Sequence, residues 1–199
     1  MALPKFVHLH VHTAFSLSEG ALRIKALVDL CRRFKMPAVA MTDTGNLFGA
    51  LEFSLASANA GVQPIIGTSL AVDFSTESHD ARRQEPRRIV LLAQNDVGYG
   101  NLLKLSSKSF LGSPAGESPQ VDAKTLALHA DGLIALTGGP DGPLGHLLEA
   151  GQTDHAEDIV CRLEAMFPDR LYAEVQRHGL GREQRIETAL IELAYKHDI

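Results

Sequence analysis

Phe6-Val7-His8-Leu9-His10-Val11-His12-Thr13 decides how this chain is read. Histidine alternates with aliphatic residues. In an extended strand His8, His10 and His12 therefore share one face, while Val7, Leu9 and Val11 share the other. The aliphatic face suits packing under helices. The imidazole face suits a polar interior or a metal centre, since neutral imidazole is the commonest protein ligand for divalent metals. Two readings stay open at this point: the histidines belong to a metal site, or they decorate an exposed sheet face.

Outward from that strand, the chain alternates strand and helix. Ser16 to Gly20 reads as a polar loop, and a helix from about Leu22 to Phe34 carries Ile24, Leu27, Val28, Cys31 and Phe34 on one stripe. Ala38 to Met41 is a short apolar strand running into Thr42-Asp43-Thr44-Gly45-Asn46, which has turn chemistry at a strand's C-terminal end. A helix from about Leu47 to Ala60 stops at Gly61, a C-terminal cap. Further strands are predicted from Pro64 toward Phe74, over Arg88 to Leu92, over Leu133 to Thr137 and over Leu171 to Gln176. Helices are predicted after Asn95, near Asp122 to Leu128, over Asp154 to Phe167 and over Arg182 to His197. Ser75 to Pro86 and Gly112 to Pro119 read as polar loops.

Six strands separated mostly by helical segments predict a parallel α/β sheet, open or rolled into a barrel. No glycine-rich fingerprint follows the first strand, which argues against a dinucleotide-binding fold. The chain stops at His197-Asp198-Ile199, where a seventh strand would begin, so the reading is of a fragment of a longer polypeptide.

The 199 residues carry a formal charge of -5, which argues against a dedicated nucleic-acid-binding module. Cys31 and Cys161 are far apart, as expected of reduced thiols in a cytoplasmic protein. No apolar run approaches the ~18 residues a membrane helix needs. His79, His129, His146, His155 and His197 read as scattered surface residues, and His178 as a hydrogen-bonding residue in the loop after the sixth strand. Arg82-Arg83 with Arg87-Arg88 reads as a solvated basic loop, and Arg32-Arg33-Lys35 as complementing a helix dipole.

The motifs 6–13, Met36 to Asp43, Gly45-Asn46-Leu47-Phe48-Gly49, Gly61 to Gly67, Leu92 to Asn95 with Gly98 to Leu102, Phe167 to Tyr172 and Glu174 to Gly179 carry a family resemblance. Together they resemble the PHP (polymerase and histidinol phosphatase) domain, in the form found at the head of bacterial replicative DNA polymerase III alpha subunits. The resemblance implies a distorted seven-stranded β/α barrel of the PHP type, here cut before its seventh strand. All of 1–199 would be that one domain, with metal ions at the C-terminal ends of the strands. Intact members are metal-dependent phosphoesterases, some of them proofreading exonucleases, in which metals activate water and neutralise phosphodiester charge.

Carried over by position, His10 and His12 match the first ligand pair, Glu19 an acidic position and Asp43 the aspartate of the second motif. Other family ligands are replaced: Thr44 and Arg88 stand where histidine is expected, Ser69 where an acid is, and Gly139 where a metal-binding side chain is. A fixed cation in a cation site repels metal. The resemblance thus implies a remnant centre that is empty or holds at most one weakly bound divalent metal, zinc or manganese. His10 and His12 would then be hydrogen-bonded to Asp43 and Glu19, which would raise the pKa of the rings. The implied role is structural and partner-docking, with the rest of the alpha chain and the proofreading exonuclease subunit as partners and DNA reached through the parent polymerase. An active phosphoesterase or 3′–5′ exonuclease is the alternative. A small-molecule barrel phosphatase is the third, disfavoured by the strings at 45–49 and 98–102.

Overall fold

The structure, a computed structural model, describes residues 6–75, 85–113 and 116–199. Readings that fall on His79 and on Arg82-Arg83 lie outside the described residues. Six strands are described: β1 (Ala38–Met41), β2 (Gln63–Asp73), β3 (Arg87–Ala93), β4 (Val121–Asp122), β5 (Leu133–Leu136) and β6 (Leu171–Tyr172). They form one sheet in the order β1-β2-β3-β5-β6, with β4 paired to the far end of β2. Seven α-helices accompany them: α1 (Ile24–Arg33), α2 (Ala50–Asn59), α3 (Asp96–Gly112), α4 (Ala123–Leu128), α5 (Pro143–Glu149), α6 (Thr153–Met166) and α7 (Gly181–His197). None of them is long and apolar enough to cross a membrane.

The sheet is mixed, not parallel as the strand–helix alternation predicts. β1 pairs β2 in parallel, but β3 runs antiparallel to both β2 and β5. The reason is the connection. The chain passes from β2 to β3 through a polar stretch with no helical period, and a hairpin needs no crossover helix. β2 serves two partners in succession, with 63–66 on β1 and 67–72 on β3. Gly67 sits at the changeover, where a Cβ would lie 2.5 Å from the Leu91 carbonyl oxygen. Only glycine lets the two backbones approach so closely there.

β3 is covered on both faces. Ile89 and Leu91 join the main core with Leu70, Leu133 and residues of α3 to α7, while Val90 and Leu92 join an inner cluster with Ala40 and Leu136. This explains the unbroken apolar run Ile89-Val90-Leu91-Leu92, since a strand buried on both sides has no polar face to show. Each such buried leucine contributes about 2 kcal/mol by its removal from water. α1 and α2 pack with β1 as a separate cluster around Phe53, Val39 and Met41. Helix α5 escapes a periodicity reading because it is short, although Pro143 opens it where its missing N–H is harmless.

The histidine stretch is extended but joins no ladder. The His8 carbonyl accepts from Ala40 N–H and the Val11 carbonyl from Thr42 N–H, so three steps of one segment match two steps of β1. The mismatch is absorbed by a side chain: Val11 N–H donates to Thr42 Oγ1, whose hydroxyl donates back to the Val11 carbonyl. In consequence the aliphatic face is only partly covered. Val11 packs against the α1–α2 cluster, whereas Leu9 is exposed and His8 meets Phe6 edge-on at the surface.

Candidate functional site

The candidate residues meet at one end of the sheet. β1, β5 and β6 finish there, and the antiparallel β3 begins there, so Arg88 arrives from the start of its strand. Asp43 is fully buried at the centre. It accepts from Thr13 N–H (2.6 Å), Thr13 Oγ1–H (2.7 Å) and the Ser16 hydroxyl (2.5 Å). Its carboxylate binds neither imidazole, contrary to the pairing predicted for it. Instead it fastens the turn after the histidine segment to the end of β1.

Glu19 likewise reaches no imidazole directly. Its Oε2 accepts from Arg88 Nη1 (2.9 Å) and from the Thr44 hydroxyl (2.5 Å). Burial works to raise the Glu19 pKa, but the bonds from Arg88 and Thr44 outweigh it and hold the carboxylate below its usual value. His10 finds its acid elsewhere: its Nδ1 lies 2.6 Å from Oε1 of Glu174, just beyond β6. Gln176 Nε2 donates to the same oxygen at 2.7 Å. Glu174 is held below its usual pKa although burial opposes this, because His10 and then Gln176 stabilise the charge.

The protons can be placed by elimination. A carboxylate only accepts, so the hydroxyls of Ser16 and Thr44 donate to Asp43 and Glu19. Both oxygens also approach His12 Nδ1, at 3.1 and 3.2 Å, so Nδ1–H must be the donor to them. By the same rule His10 Nδ1–H donates to Glu174. The two Nε2 atoms then face each other 3.1 Å apart. Two lone pairs at that distance repel unless a shared proton or a cation sits between them. His12 does not carry the raised pKa that neighbouring carboxylates predict. Burial lowers it, with His10 adding to the effect, against smaller opposite contributions from Glu19 and Asp43.

The PHP domain family matches residues 8–178. The chain belongs to the PHP domain family. It is 43% identical over 194 residues to the DNA polymerase III subunit alpha of Caulobacter vibrioides and 40% identical over 199 residues to that of Treponema pallidum. Both alignments take in 98% of this chain but 17% of the relative, so the chain spans about a sixth of the length of these curated relatives. Two solved structures share the fold. One, from Bifidobacterium adolescentis, is described as a metal-dependent phosphoesterase (TM-score 0.58, 16% identity, 100% of this chain and 86% of that one). The other is an amidohydrolase from Chromobacterium violaceum with bound sulfate and no metal (TM-score 0.61, 15% identity, 97% and 84%).

Within the PHP frame, the donor set does not fit a multinuclear metal centre. Asp43 has its oxygens engaged by three internal donors, and the shared oxygen of Glu19 is held by a guanidinium. Thr44 and Ser69 meet only through their backbones, as the bridge joining the β1 turn to β2. At Gly139 a side chain is disfavoured by the left-handed backbone (φ +59°), and a Cβ there would lie 2.7 Å from Gln176 Cδ, so Gln176 would have to swing aside. Gln176 thus fills the space a ligand from that position would enter. What converges at this mouth, among the described residues, is the facing pair of His10 and His12 Nε2 atoms, beside a Glu174 oxygen, Oε2, that is buried without a hydrogen bond.

Sequence reasoning places His10, His12, Glu19 and Asp43 at one site, and the structure brings all four together. It misses Thr13, Ser16, Glu174 and Gln176 as members. His178 is where it is expected, bonded to Glu183 through its N–H (2.7 Å) and ring (2.8 Å). His197 is not a surface residue: it is largely buried against Glu164.

Proposed function

We propose that this chain is the N-terminal PHP domain of a cytoplasmic bacterial replicative DNA polymerase, with its phosphoesterase centre dismantled, serving as a structural and partner-docking module. Support for the polymerase setting comes from relatives that align over nearly the whole chain. Support for the loss of chemistry rests on one contact, Arg88 bound to Glu19 where the family has metal ligands. A guanidinium is a permanent cation and cannot vacate its charge by losing a proton. It holds the acidic ligand and repels the ion that would compete for it.

In this reading His10, His12, Glu19 and Asp43 hold the mouth together as a polar knot, and at most one divalent ion, zinc or manganese, binds weakly between the two imidazoles. The partners are the remainder of the alpha chain and the separate proofreading exonuclease subunit, and DNA is engaged by the parent polymerase. The test has two arms. Metal-saturated dialysis followed by elemental analysis is expected to leave less than one equivalent at the mouth, with no hydrolysis of a 3′-terminal phosphodiester. Two or three ions per chain that are lost in His12→Ala, or hydrolysis abolished by that change, would restore the enzymatic reading. Pull-down of the exonuclease subunit is expected with the full polymerase and lost when residues 1–199 are deleted; equal capture refutes docking.

A further inference from the structure

A cavity of about 500 Å³ opens on the helical side of the sheet, where the β2–β3 pair meets α5 and the start of α6. Strand alternation puts it there. Ile89 and Leu91 turn to the main core and Val90 and Leu92 to the inner cluster, so Arg87 extends the first series and Arg88 the second. The two neighbouring arginines are thereby sent to opposite faces, Arg88 to Glu19 at the mouth and Arg87 to the cavity. Val72, Leu147 and Ile159, all members of the main core, give the cavity an apolar wall.

The pairing of Arg87 is unfinished in a way that points to an anion. Its Nη2 lies 3.4 Å from Glu85 Oε2 and 3.3 Å from His146 Nε2. Arg88, Arg177 and Arg182 meet their carboxylates at 2.9, 2.7 and 2.8 Å, the range of a charge-assisted bond. Arg87 is less exposed than any of those three, yet it has only the long contacts, and its one acid, Glu85, is 84% exposed to water. A guanidinium only donates, so His146 Nε2 accepts from it and the ring proton is on Nδ1, which has no acceptor among the described residues. His155 brings a second imidazole from the first turn of α6.

We propose that this cavity binds a small organic phosphate, with the phosphoryl group on Arg87, His146 and His155 and the apolar body against Val72, Leu147 and Ile159. The lining decides the class of ligand. A cavity of this size with an apolar wall and a few polar groups is the ordinary form of a small-molecule site. The polar groups are donors on three separate side chains, which suit the three outer oxygens of a phosphate monoester better than the two coplanar oxygens of a carboxylate. The free fork of Arg87 supplies the fixed charge that such a dianion needs. The site shares no residue with the mouth and stands whether or not the proposed polymerase role does.

Phenyl phosphate is the probe, since it joins a phosphoryl head to a compact apolar body. Calorimetric titration of the 199-residue chain is expected to show one site, with inorganic phosphate and benzoate each weaker by roughly tenfold or more. Arg87→Gln is expected to weaken phenyl phosphate by roughly tenfold or more, while Arg88→Gln, the neighbouring change on the mouth side, leaves it unaltered. Arg87→Lys keeps the charge without the fork and is expected to fall between wild type and Arg87→Gln. A folded wild-type chain that binds no phenyl phosphate overturns the proposal, as does binding that is lost with Arg88 and kept without Arg87. Inorganic phosphate or benzoate binding as tightly as phenyl phosphate overturns the assigned ligand class.

Discussion

The mouth and the cavity beside Arg87 both gather arginine, histidine and an acid, yet they differ in what those groups have left to offer. At the mouth most acceptors are consumed internally, Asp43 by Thr13 and Ser16, Glu19 by Thr44 and Arg88, Glu174 Oε1 by His10 and Gln176, while Glu174 Oε2 is buried without a partner. At the cavity Arg87 has only contacts of 3.3 and 3.4 Å, and His146 Nδ1–H has no acceptor among the described residues. Proximity of polar residues is therefore a poor guide to ligand binding. The number of uncommitted donors and acceptors is a better one.

The largest expected effect separates the two regions by stability. Asp43→Ala strands three buried donors at once, and should cost about 4 kcal/mol in urea unfolding, whereas Arg87→Gln should cost almost nothing. A loss below ~1 kcal/mol for Asp43→Ala would mean the mouth is not a structural knot. Next comes Glu174→Gln, which keeps the shape but removes the charge facing His10, for an expected loss of about 2 kcal/mol. If instead the variant is as stable as the wild type, the His10–Glu174 bond is decorative.

Restoring ligands is the sharper test of the comparison. The pair Thr44→His and Arg88→His supplies two imidazoles and removes the guanidinium, and should tighten Mn²⁺ or Zn²⁺ binding at the mouth by roughly tenfold or more, worth ~1.4 kcal/mol. Isothermal titration with His12→Ala as control reads this out, and no gain would show that Arg88 is not what bars the ion.

A smaller effect is expected from pH. His12 has a lowered pKa, so below its ordinary value of 6.5 the unfolded chain binds a proton that the folded chain resists. Stability from this ring is fully present above pH 6.5 and declines as pH falls below it. Glu19 and Glu174, whose pKa values are also lowered, add their own loss only as pH falls below their ordinary 4.5. His129 is lowered too, by burial and then Lys108 and Lys104, so the informative quantity is the difference from His12→Asn. That variant should flatten the slope between these limits; an unchanged slope would assign it to other groups.

How much of this could be read in the sequence depends on the range of the interaction. His10 with His12, and Asp43 at the end of a strand, are local patterns, and the structure keeps both. Glu174 is 164 residues from His10 and carries no helical or cap signal. Its one trace is the spacing Tyr172, Glu174, Gln176, which places the acid and the amide on one face of an extended segment. The reversal of β3 is hidden by its composition, because a strand buried on both faces looks alike in either direction. The informative feature is what precedes it, a polar stretch of sequence with no helical period, which suits a hairpin better than a parallel crossover. Arg87, His146 and His155 could not be joined from sequence, since the packing of α5 and α6 against the sheet depends on the whole core between them.

The reversal of β3 has a bearing on how such a domain can change. In a wholly parallel barrel, the chain enters each strand at the bottom, far from the mouth. Here Val72 faces Arg87 across the hairpin, and Arg88 next to it reaches Glu19, so the link between β2 and β3 begins and ends at the rim. Lengthening such a link costs little, about 0.6 kcal/mol for each doubling. New chain can therefore be added at the rim while the buried strands stay as they are, and recognition elements can turn over there faster than the barrel that carries them.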